Sequence, residues 1–251
     1  MRFVKSWFRS ALGAAGYEIS RTDNFGRDAL RDAQTIFGST PITTVFDVGA
    51  NTGQTTIEFV TRLRPRVVHC FEPSEEAFGR LSELSKTWPQ IKAWRMALGD
   101  VPGVQTLHVN SASVTNSLLP PGPGSEIFQP KGSAATLRTE AIKVSTVDEY
   151  CGSEKIDFID LLKIDTQGYD LRVIQGANRM MGHCGIAAVL VEIIFVPLYA
   201  GQSSFEEIYR ALSKHGFKFV SLYGVNFSED RYASWADALF IQPDALKSRR
   251  D

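Results

Sequence analysis

The chain has 251 residues, with 27 Lys and Arg against 28 Asp and Glu, so its formal net charge is −1. This length suits one large α/β domain. The near-neutral balance argues against nucleic acid as the main partner, because phosphate binding needs a concentrated basic surface. A chain that is 43% hydrophobic and 22% charged is neither disordered nor a disulfide scaffold. Its three cysteines are far apart without a CxxC pair, which predicts reduced thiols in a cytoplasmic protein.

The N-terminal segment, residues 1–40, is predicted to be a helical cap on a domain that covers residues 41–251. No apolar run reaches the roughly 18 residues that a transmembrane helix needs. The first twelve residues are basic along one helical face and apolar along most of the rest. Such a helix packs its apolar stripe on the domain, or makes a weak contact with a membrane surface; the first interpretation is favoured.

The apolar pattern beyond the cap alternates between strand and helix periods. Strands are predicted at Ile42–Val48, Arg66–Phe71, Ile91–Leu98, Val104–Val109, Ala141–Val147, Phe158–Ile164, Ile186–Phe195, Phe217–Tyr223 and Ala238–Ile241. Helices are predicted at Thr52–Leu63, Ser74–Lys86, Asp170–Ala177 and Phe205–His215. This alternation predicts an α/β fold with a doubly wound, mostly parallel sheet and helices on both faces.

The turn after the first strand, residues 47–53, reads Asp-Val-Gly-Ala-Asn-Thr-Gly. Gly49 and Gly53 allow a tight turn and a close approach of a ligand to the backbone. The motif is neither the dinucleotide GxGxxG nor a P-loop. Asp47 does not suit a pyrophosphate, but it suits a cationic or hydroxyl-rich ligand such as S-adenosylmethionine. We include Asn51, in the same turn, among the candidate cofactor-binding residues.

Two further acids follow neighbouring strands. Glu72 ends the second strand, where an acid accepts hydrogen bonds from the two ribose hydroxyls of a nucleoside. Because the ends of neighbouring parallel strands form one crevice, Glu72 and the turn at 47–53 are predicted to bind one ligand. Asp100 follows the third strand and is a candidate contact for the adenine amino group, although a simple Gly-Asp turn explains it almost as well.

Five segments, taken in chain order, resemble the FkbM-type S-adenosylmethionine-dependent methyltransferases: VFDVGANTGQ, CFEPSEEAF, ALGD, LLKIDTQGYDLRVIQGA and VLVEI. The resemblance runs from about Ile42 to Gln242. It implies a Rossmann-like class I methyltransferase fold with an antiparallel last strand, and O-methylation of a hydroxyl on a sugar, glycolipid or related small molecule. Many members carry an acid where this chain has Gln167, so residue 167 is not expected to be an essential base.

The candidate catalytic residues lie on two later strands. Methyl transfer to a hydroxyl needs alignment of the reacting atoms and a base or charge beside the hydroxyl. Lys163 and Asp165 share strand parity at the end of one strand, and Glu192 interrupts an apolar strand. Burying such charges without partners is costly, so each is either catalytic or part of a structural ion pair. We rank Asp165 ahead of Glu192 as the base.

The segment 109–139 is too long for an ordinary connection and contains a Pro/Gly-rich run. We predict that it is a mobile part of the acceptor pocket, where Asn116 and Ser117 could contact substrate. Trp235 either covers this pocket or packs in the core. No acidic cluster at short spacing predicts a magnesium site.

Two other functions are compatible with a sheet of this kind. A nicotinamide-dependent oxidoreductase would need a GxGxxG turn, which is not evident. An inactive methyltransferase-like binding scaffold would be expected to carry a broken cofactor turn, whereas Asp47, Gly49, Gly53 and Glu72 are all present. The sequence leaves the oligomeric state open.

Overall fold

The computed structural model describes residue 12 and residues 24–249. The helices are α1 (Ala29–Phe37), α2 (Gln54–Glu58), α3 (Glu75–Thr87), α4 (Ser125–Phe128), α5 (Val147–Glu154), α6 (Asp170–Gln175), α7 (Asn178–Gly182), α8 (Phe205–Lys214) and α9 (Pro243–Ser248). The strands are β1 (Thr44–Val48), β2 (Val67–Phe71), β3 (Ile91–Trp94), β4 (Ala97–Leu98), β5 (Gly103–Asn110), β6 (Thr136–Ser145), β7 (Ile159–Ile164), β8 (Ile186–Ile194), β9 (Lys218–Phe227) and β10 (Ala233–Ile241).

Seven strands form the main sheet, in the order β3-β2-β1-β7-β8-β10-β9. The strands from β3 to β8 pair in parallel, and β10 runs antiparallel to both of its neighbours. The prediction of a doubly wound, mostly parallel sheet with an antiparallel last strand is therefore confirmed. Strand order reverses between β1 and β7, and ligands bind at such a switch point in open α/β sheets.

Both faces of the main sheet are covered, which explains the near-continuous apolar runs of its central strands. Every residue of β7 is buried, and so is β8 except for Glu192. On one face, α1 packs Leu30 and Phe37 into the same apolar cluster as Val45 of β1. The first twelve residues, where a membrane-surface helix is one interpretation, lie outside the described residues apart from residue 12.

A second, smaller sheet has the order β4-β6-β5, in which β5 and β6 form an antiparallel pair and β4 runs parallel to β6. The strand predicted at Ile91–Leu98 is therefore wrong as one element. Its first half, β3, belongs to the main sheet, and its second half, β4, belongs to the smaller one. The turn at residues 95–96 carries the chain from one sheet to the other because β6 offers β4 a free edge to pair with.

The helix predicted at Thr52–Leu63 begins two residues later and changes its winding. It is α-helical over Gln54–Glu58 and π-helical over Phe59–Leu63. The wider turn ends where Arg64, at φ 53°, donates its backbone N–H to the carbonyl of Phe59, 3.2 Å away. The apolar spacing of this segment is compatible with both windings, so the sequence pattern alone did not separate them.

We expect Gly49 to tolerate no side chain. At Gly49 (φ 78°) an added Cβ would lie 1.8 Å from the backbone oxygen of Asp165, whereas at Gly201, also at φ 78°, it would meet nothing within 4 Å. Gly201→Ala should lower the free energy of unfolding by roughly 1–2 kcal/mol from backbone strain. Gly49→Ala should cost about 3 kcal/mol more, because a backbone oxygen cannot move aside cheaply. Urea unfolding of both variants measures the difference; equal losses would contradict the close packing of β1 against β7.

Candidate active site

A cavity of about 530 Å³ opens at the carboxyl ends of β1, β2, β7 and β8, a size typical of small-molecule sites. Its wall includes four groups of residues that come from distant parts of the chain. These are the turn residues Gly49, Ala50 and Asn51; Phe71, Glu72 and Pro73 after β2; Lys163, Asp165, Thr166 and Gln167 after β7; and Glu192 with Trp235 from β8 and β10. The carboxyl ends of these strands thus lie together at one cavity, as the sequence predicted.

Glu72 joins the turn after β1 to the start of α3. Its Oε2 accepts a hydrogen bond from the backbone N–H of Asn51, and its Oε1 accepts one from the N–H of Ser74, both at 2.9 Å. Asn51 has φ 47°, so this carboxylate holds a left-handed residue at the cavity wall. Burial raises the pKa of Glu72 to about 7, against the opposite effect of the two backbone hydrogen bonds.

Lys163 links the two strands at the switch point. Its Nζ lies 2.9 Å from Asp47 Oδ1 and 3.5 Å from Asp165 Oδ2, and it donates to the carbonyl of Gly49 at 3.0 Å. Asp47 is fully buried and also accepts from Thr56 Oγ1 at 2.6 Å. Burial opposes the charge on Lys163, but the two carboxylates outweigh it and raise the pKa of this ammonium group.

Of the predicted cofactor residues, Gly49, Asn51 and Glu72 line the cavity, whereas Asp47 and Gly53 lie behind it. Gly53 (φ 92°) leaves room for Leu84, whose side chain an added Cβ would meet at 2.4 Å. Asp47 contacts Lys163 rather than the cavity. Both residues therefore shape the turn from beneath, and a contact of either residue with the cofactor stays a prediction.

Asp100 is not among the residues that line the cavity. Its carboxylate forms an ion pair with Arg172 of α6 at 2.8 Å. The structure thus does not bring Asp100 together with Glu72 and Asn51. A contact between Asp100 and an adenine ring stays a prediction.

The predicted catalytic acids meet through an unforeseen residue. Nε2 of Gln167 lies 2.9 Å from Asp165 Oδ1 and 2.9 Å from Glu192 Oε2. Oε1 of Gln167 accepts from the hydroxyl of the buried Tyr199 at 2.7 Å. Burial and the charge of Asp165 raise the pKa of Glu192 well above its ordinary value. The side chain of Asp165 is 35% exposed, so it is open to the cavity.

Asp170 is a buried acid that the sequence pattern placed in a helix without a further role. It is 1% exposed, and its carboxylate accepts from the N–H and hydroxyl of Thr166 at 2.9 Å and from the N–H of Gly168 at 3.1 Å. Burial raises the pKa of Asp170 to about 6, with a contribution from Asp165. Asp170 thereby fixes the loop that carries Gln167.

Part of the long segment between β5 and β6 lies over this loop. Residues 113–118 line the cavity, and Ser117 Oγ donates to the backbone carbonyl of Gln167 at 2.7 Å. Asn116, by contrast, accepts from the backbone N–H of Asn110 at 2.8 Å. Trp235 lines the cavity and also packs against the apolar cluster of Ile194 and Tyr199. The mobility of the segment stays a prediction.

The sequence did not predict three features of this site. These are the contact of Tyr199 with Gln167, the role of Asp170 in holding the loop, and the bridge that Gln167 forms between the two acids. Gln167 stood within the most specific motif but was considered only as a base, which an amide is not. Asp170 carries a usable signal, since an acid four residues after Thr166 can cap the turn between them. Nothing local to Tyr199 indicates its contact with Gln167.

A known protein family matches the part of the chain that forms most of the cavity wall. The family model of the methyltransferase FkbM domain matches residues 47–219, which is more than half of the chain. The chain therefore belongs to the FkbM methyltransferase family. By family and fold it is an S-adenosylmethionine-dependent methyltransferase of class I.

Individual relatives are distant. The 2-O-methyltransferase NoeI of Sinorhizobium fredii is 24% identical over 154 residues, 56% of this chain and 60% of that protein, so this chain spans less than two thirds of it. The FkbM methyltransferase of Methylobacillus flagellatus KT is 14% identical with a TM-score of 0.50, over 80% of this chain and 44% of that one. The magnesium protoporphyrin IX methyltransferase of Synechocystis PCC 6803, solved with bound S-adenosylmethionine, is 12% identical with a TM-score of 0.45 over 96% of both chains.

Two features are absent from the part of the chain that the structure describes. Within residues 24–249, His, Cys, Asp and Glu side chains form no group of three or more that could hold a metal ion. In the same part of the chain, no helix combines the length and the apolar character that crossing a membrane requires.

Replacement of Lys163 tests the switch-point ion pair. Lys163→Met should lower the free energy of unfolding by about 3–5 kcal/mol, because it leaves the buried carboxylate of Asp47 without its cation. Adding Asp47→Asn removes that stranded charge, so the double variant should be less destabilised than the sum of the two single variants. Urea unfolding followed by circular dichroism measures each value; strict additivity would contradict the pairing.

Proposed function

We propose that this methyltransferase acts on a hydroxyl oxygen of a neutral, hydroxyl-rich small molecule, a sugar or a glycolipid. The observation that carries the proposal is the pair of carboxyl groups, Asp165 and Glu192, in the same cavity wall as Glu72 and the turn after β1. The name of the relative NoeI, a 2-O-methyltransferase, supports oxygen as the methylated atom.

The cavity residues suit S-adenosylmethionine. Glu72 presents a buried carboxylate beside Asn51, which would hold the ribose hydroxyls. Phe71 and Leu98 offer apolar wall next to it, as an adenine ring needs. Carboxylates outnumber ammonium groups along the wall, which favours a ligand that carries a sulfonium and an α-ammonium charge. We therefore place the cofactor between the turn at 49–51 and Glu72.

The protein's remaining task is to position a hydroxyl and to accept its proton. When bound, S-adenosylmethionine supplies an electrophilic methyl group, so that an O–C bond forms while the C–S bond breaks and leaves its electron pair on sulfur. Asp165, which is open to the cavity, accepts the hydroxyl proton. Glu192, half-buried in β8, orients the acceptor from the opposite side of Gln167. Lys163 acts as a positioning residue for Asp165, without contact to the acceptor.

The charges of the wall also select the acceptor. Among the described residues that line the cavity, Lys163 is the single cationic side chain, and it is buried against Asp47 and Asp165. A phosphate placed here would face carboxylates without a free counter-charge. The acceptor part that enters the cavity is therefore uncharged or carries an ammonium group, and phosphate-bearing sugar nucleotides are poor acceptors.

Glu72→Gln should weaken S-adenosylmethionine binding by about 1.5–3 kcal/mol, because a charge-assisted hydrogen bond is lost. Because the pKa of Glu72 is about 7, the wild-type affinity should rise as the pH increases from 6 to 7.5 and the carboxyl group ionises. The affinity of Glu72→Gln should change much less over the same range. Calorimetric titration gives both values. Glu76→Gln, an exposed acid paired with Arg80 on α3, is the matched control and should bind like the wild type.

Transfer of a labelled methyl group tests both the reaction and the acceptor class. The enzyme is incubated with methyl-labelled S-adenosylmethionine and with neutral glycosides and glycolipids, amino sugars and sugar nucleotides, and products are identified by mass spectrometry. We expect labelled ethers from the neutral glycosides and glycolipids and from the amino sugars. Label on sugar nucleotides alone would contradict the acceptor class, and label on nitrogen or carbon would contradict O-methylation. Binding of the cofactor without transfer to any acceptor would favour the inactive scaffold.

Asp165→Asn and Glu192→Gln separate the roles of the two acids once an acceptor is known. Asp165→Asn should lower kcat by roughly 10²–10⁴-fold, the usual cost of removing a general base, with cofactor affinity nearly unchanged. Glu192→Gln should raise KM for the acceptor more than it lowers kcat. The reverse pattern would make Glu192 the base. Near-normal kcat in both variants would show that neither acid takes the proton.

A further inference from the structure

The side-chain amide of Gln167 uses both of its N–H donors and its oxygen acceptor in hydrogen bonds. Its two N–H groups point to Asp165 and Glu192, and its oxygen accepts from Tyr199. The reverse orientation would set the amide oxygen against the carboxylate of Asp165, so that two acceptors faced each other. The observed orientation is therefore the favourable one, and it ties the two acids to one nitrogen atom.

The backbone of this residue is held equally firmly. Gln167 has φ 54°, a conformation that is uncommon for residues other than glycine, and Gly168 follows at φ 90°. Ser117 donates to the Gln167 carbonyl at 2.7 Å, and Asp170 accepts from the N–H groups on either side, those of Thr166 and Gly168. Strained backbone of this kind persists where the surroundings over-determine it, and it clusters at functional sites.

We propose that Gln167 is a positioning residue that holds Asp165 and Glu192 beside each other on one nitrogen atom, so that before the acceptor binds the pair carries one proton, on Glu192, and one negative charge, on Asp165. This inference rests on the proposed function, in which the same pair meets the acceptor hydroxyl. Both acids bond to one nitrogen, so they lie too close to hold two negative charges without a large repulsion. Among the described residues that line the cavity, Lys163 is the single ammonium group, and its contact with Asp165 determines which acid carries the charge.

The groups around Asp165 and Glu192 also disfavour a second negative charge on the pair. The charged and titratable groups around it are Lys163 of β7, Asp47 of β1, Asp170 of α6, Asp237 of β10 and the Tyr199 hydroxyl. Apart from Lys163, the charged groups in this set are acids, and they oppose a second negative charge. Burial is the largest cause of the raised pKa of Glu192, and the charge of Asp165 is the next.

The arrangement accounts for the proton throughout the reaction. The pair begins with one proton, on Glu192, and ends with two, after the acceptor hydroxyl has given its proton to Asp165. An ionised and a protonated carboxyl group each keep an oxygen that can accept, so Gln167 donates to both acids before and after the transfer. The amide does not have to turn during the step, and this preserves the alignment on which methyl transfer depends.

Two substitutions of Gln167 test this role through pH profiles. Gln167→Met removes both N–H donors, and Gln167→Glu keeps the shape but adds a third acid. Loss of the N–H donors destabilises the charged form of the carboxyl pair. The acidic limb of kcat/KM should therefore move to higher pH by about one unit in Gln167→Met, and further in Gln167→Glu. Cofactor affinity should stay within about twofold. Gln105→Met removes another amide that bonds to a tyrosine hydroxyl, that of Tyr169; Gln105 itself does not line the cavity, so this variant should leave the limb in place.

A loss of rate that is equal at every pH, with an unmoved limb, would reduce Gln167 to a structural residue and overturn the proposal. If Gln167→Met does not fold, an unmoved limb in Gln167→Glu still overturns the proposal, and the carboxyl titration below tests the shared proton without a change at this position.

A carboxyl titration that needs no acceptor separates this inference from the proposed function. Protein labelled with ¹³C at the Asp and Glu carboxyl carbons is titrated by NMR without ligands, and Asp165→Asn and Glu192→Gln assign the two signals. We expect Glu192 to keep its proton well above the pH at which an ordinary Glu loses it, and to lose it at lower pH in Asp165→Asn. Loss of the Glu192 proton at its ordinary pH, unchanged in Asp165→Asn, would overturn the inference even in an active enzyme. The expected coupling without any methyl transfer would instead count against the proposed function alone.

Discussion

The pairing of Lys163 with Asp47 is the interaction on which the rest of the site depends. The two residues stand opposite each other on β1 and β7, at the point where strand order reverses. A buried ion pair gives little net stability, but removal of one partner is expensive, so both strands are held in this register. The same ammonium group bonds to the Gly49 carbonyl and contacts Asp165. One cation thus connects the cofactor turn with the acids on the acceptor side.

The architecture was predictable because its signals are local and periodic. Near-continuous apolar runs such as Ile186–Ile194 are typical of strands buried on both faces, and the turn at 47–53 carries its own glycine chemistry. The predicted meeting of Glu72, Asn51, Asp165 and Glu192 followed from one rule, that parallel strands end at the same edge of a sheet. Errors arose where tertiary pairing competed with pattern, as in the split of Ile91–Leu98 between two sheets.

The interior of the site was less predictable, since it depends on the directions of individual side chains. Asp47 was predicted to contact the ligand and Lys163 to be catalytic or ion-paired, but nothing in their spacing indicated that the two would pair behind the cavity. The ion pair of Asp100 with Arg172 was equally hidden from the sequence, and the predicted contact of Asp100 with adenine stays a prediction. Gln167 was read as the absence of an acid, whereas its two N–H groups give it a property that an acid lacks. Such features follow from three-dimensional neighbours rather than from order along the chain.

The division of the chain between two sheets also divides the cavity wall. Glu72 and the turn at 49–51, where we propose the cofactor, follow strands of the main sheet, although Leu98 beside them lies in β4 of the smaller sheet. Residues 113–118 belong to the long excursion that leaves the main sheet after β3 and returns through β6. The smaller sheet anchors this excursion at both ends, at β4 and at β6. Insertions or exchanges between β5 and β6 can therefore reshape the proposed acceptor side while the strands of the main sheet keep their pairing. The fold is in this respect modular, since one part of the cavity wall can change length without a change in the register of the main sheet.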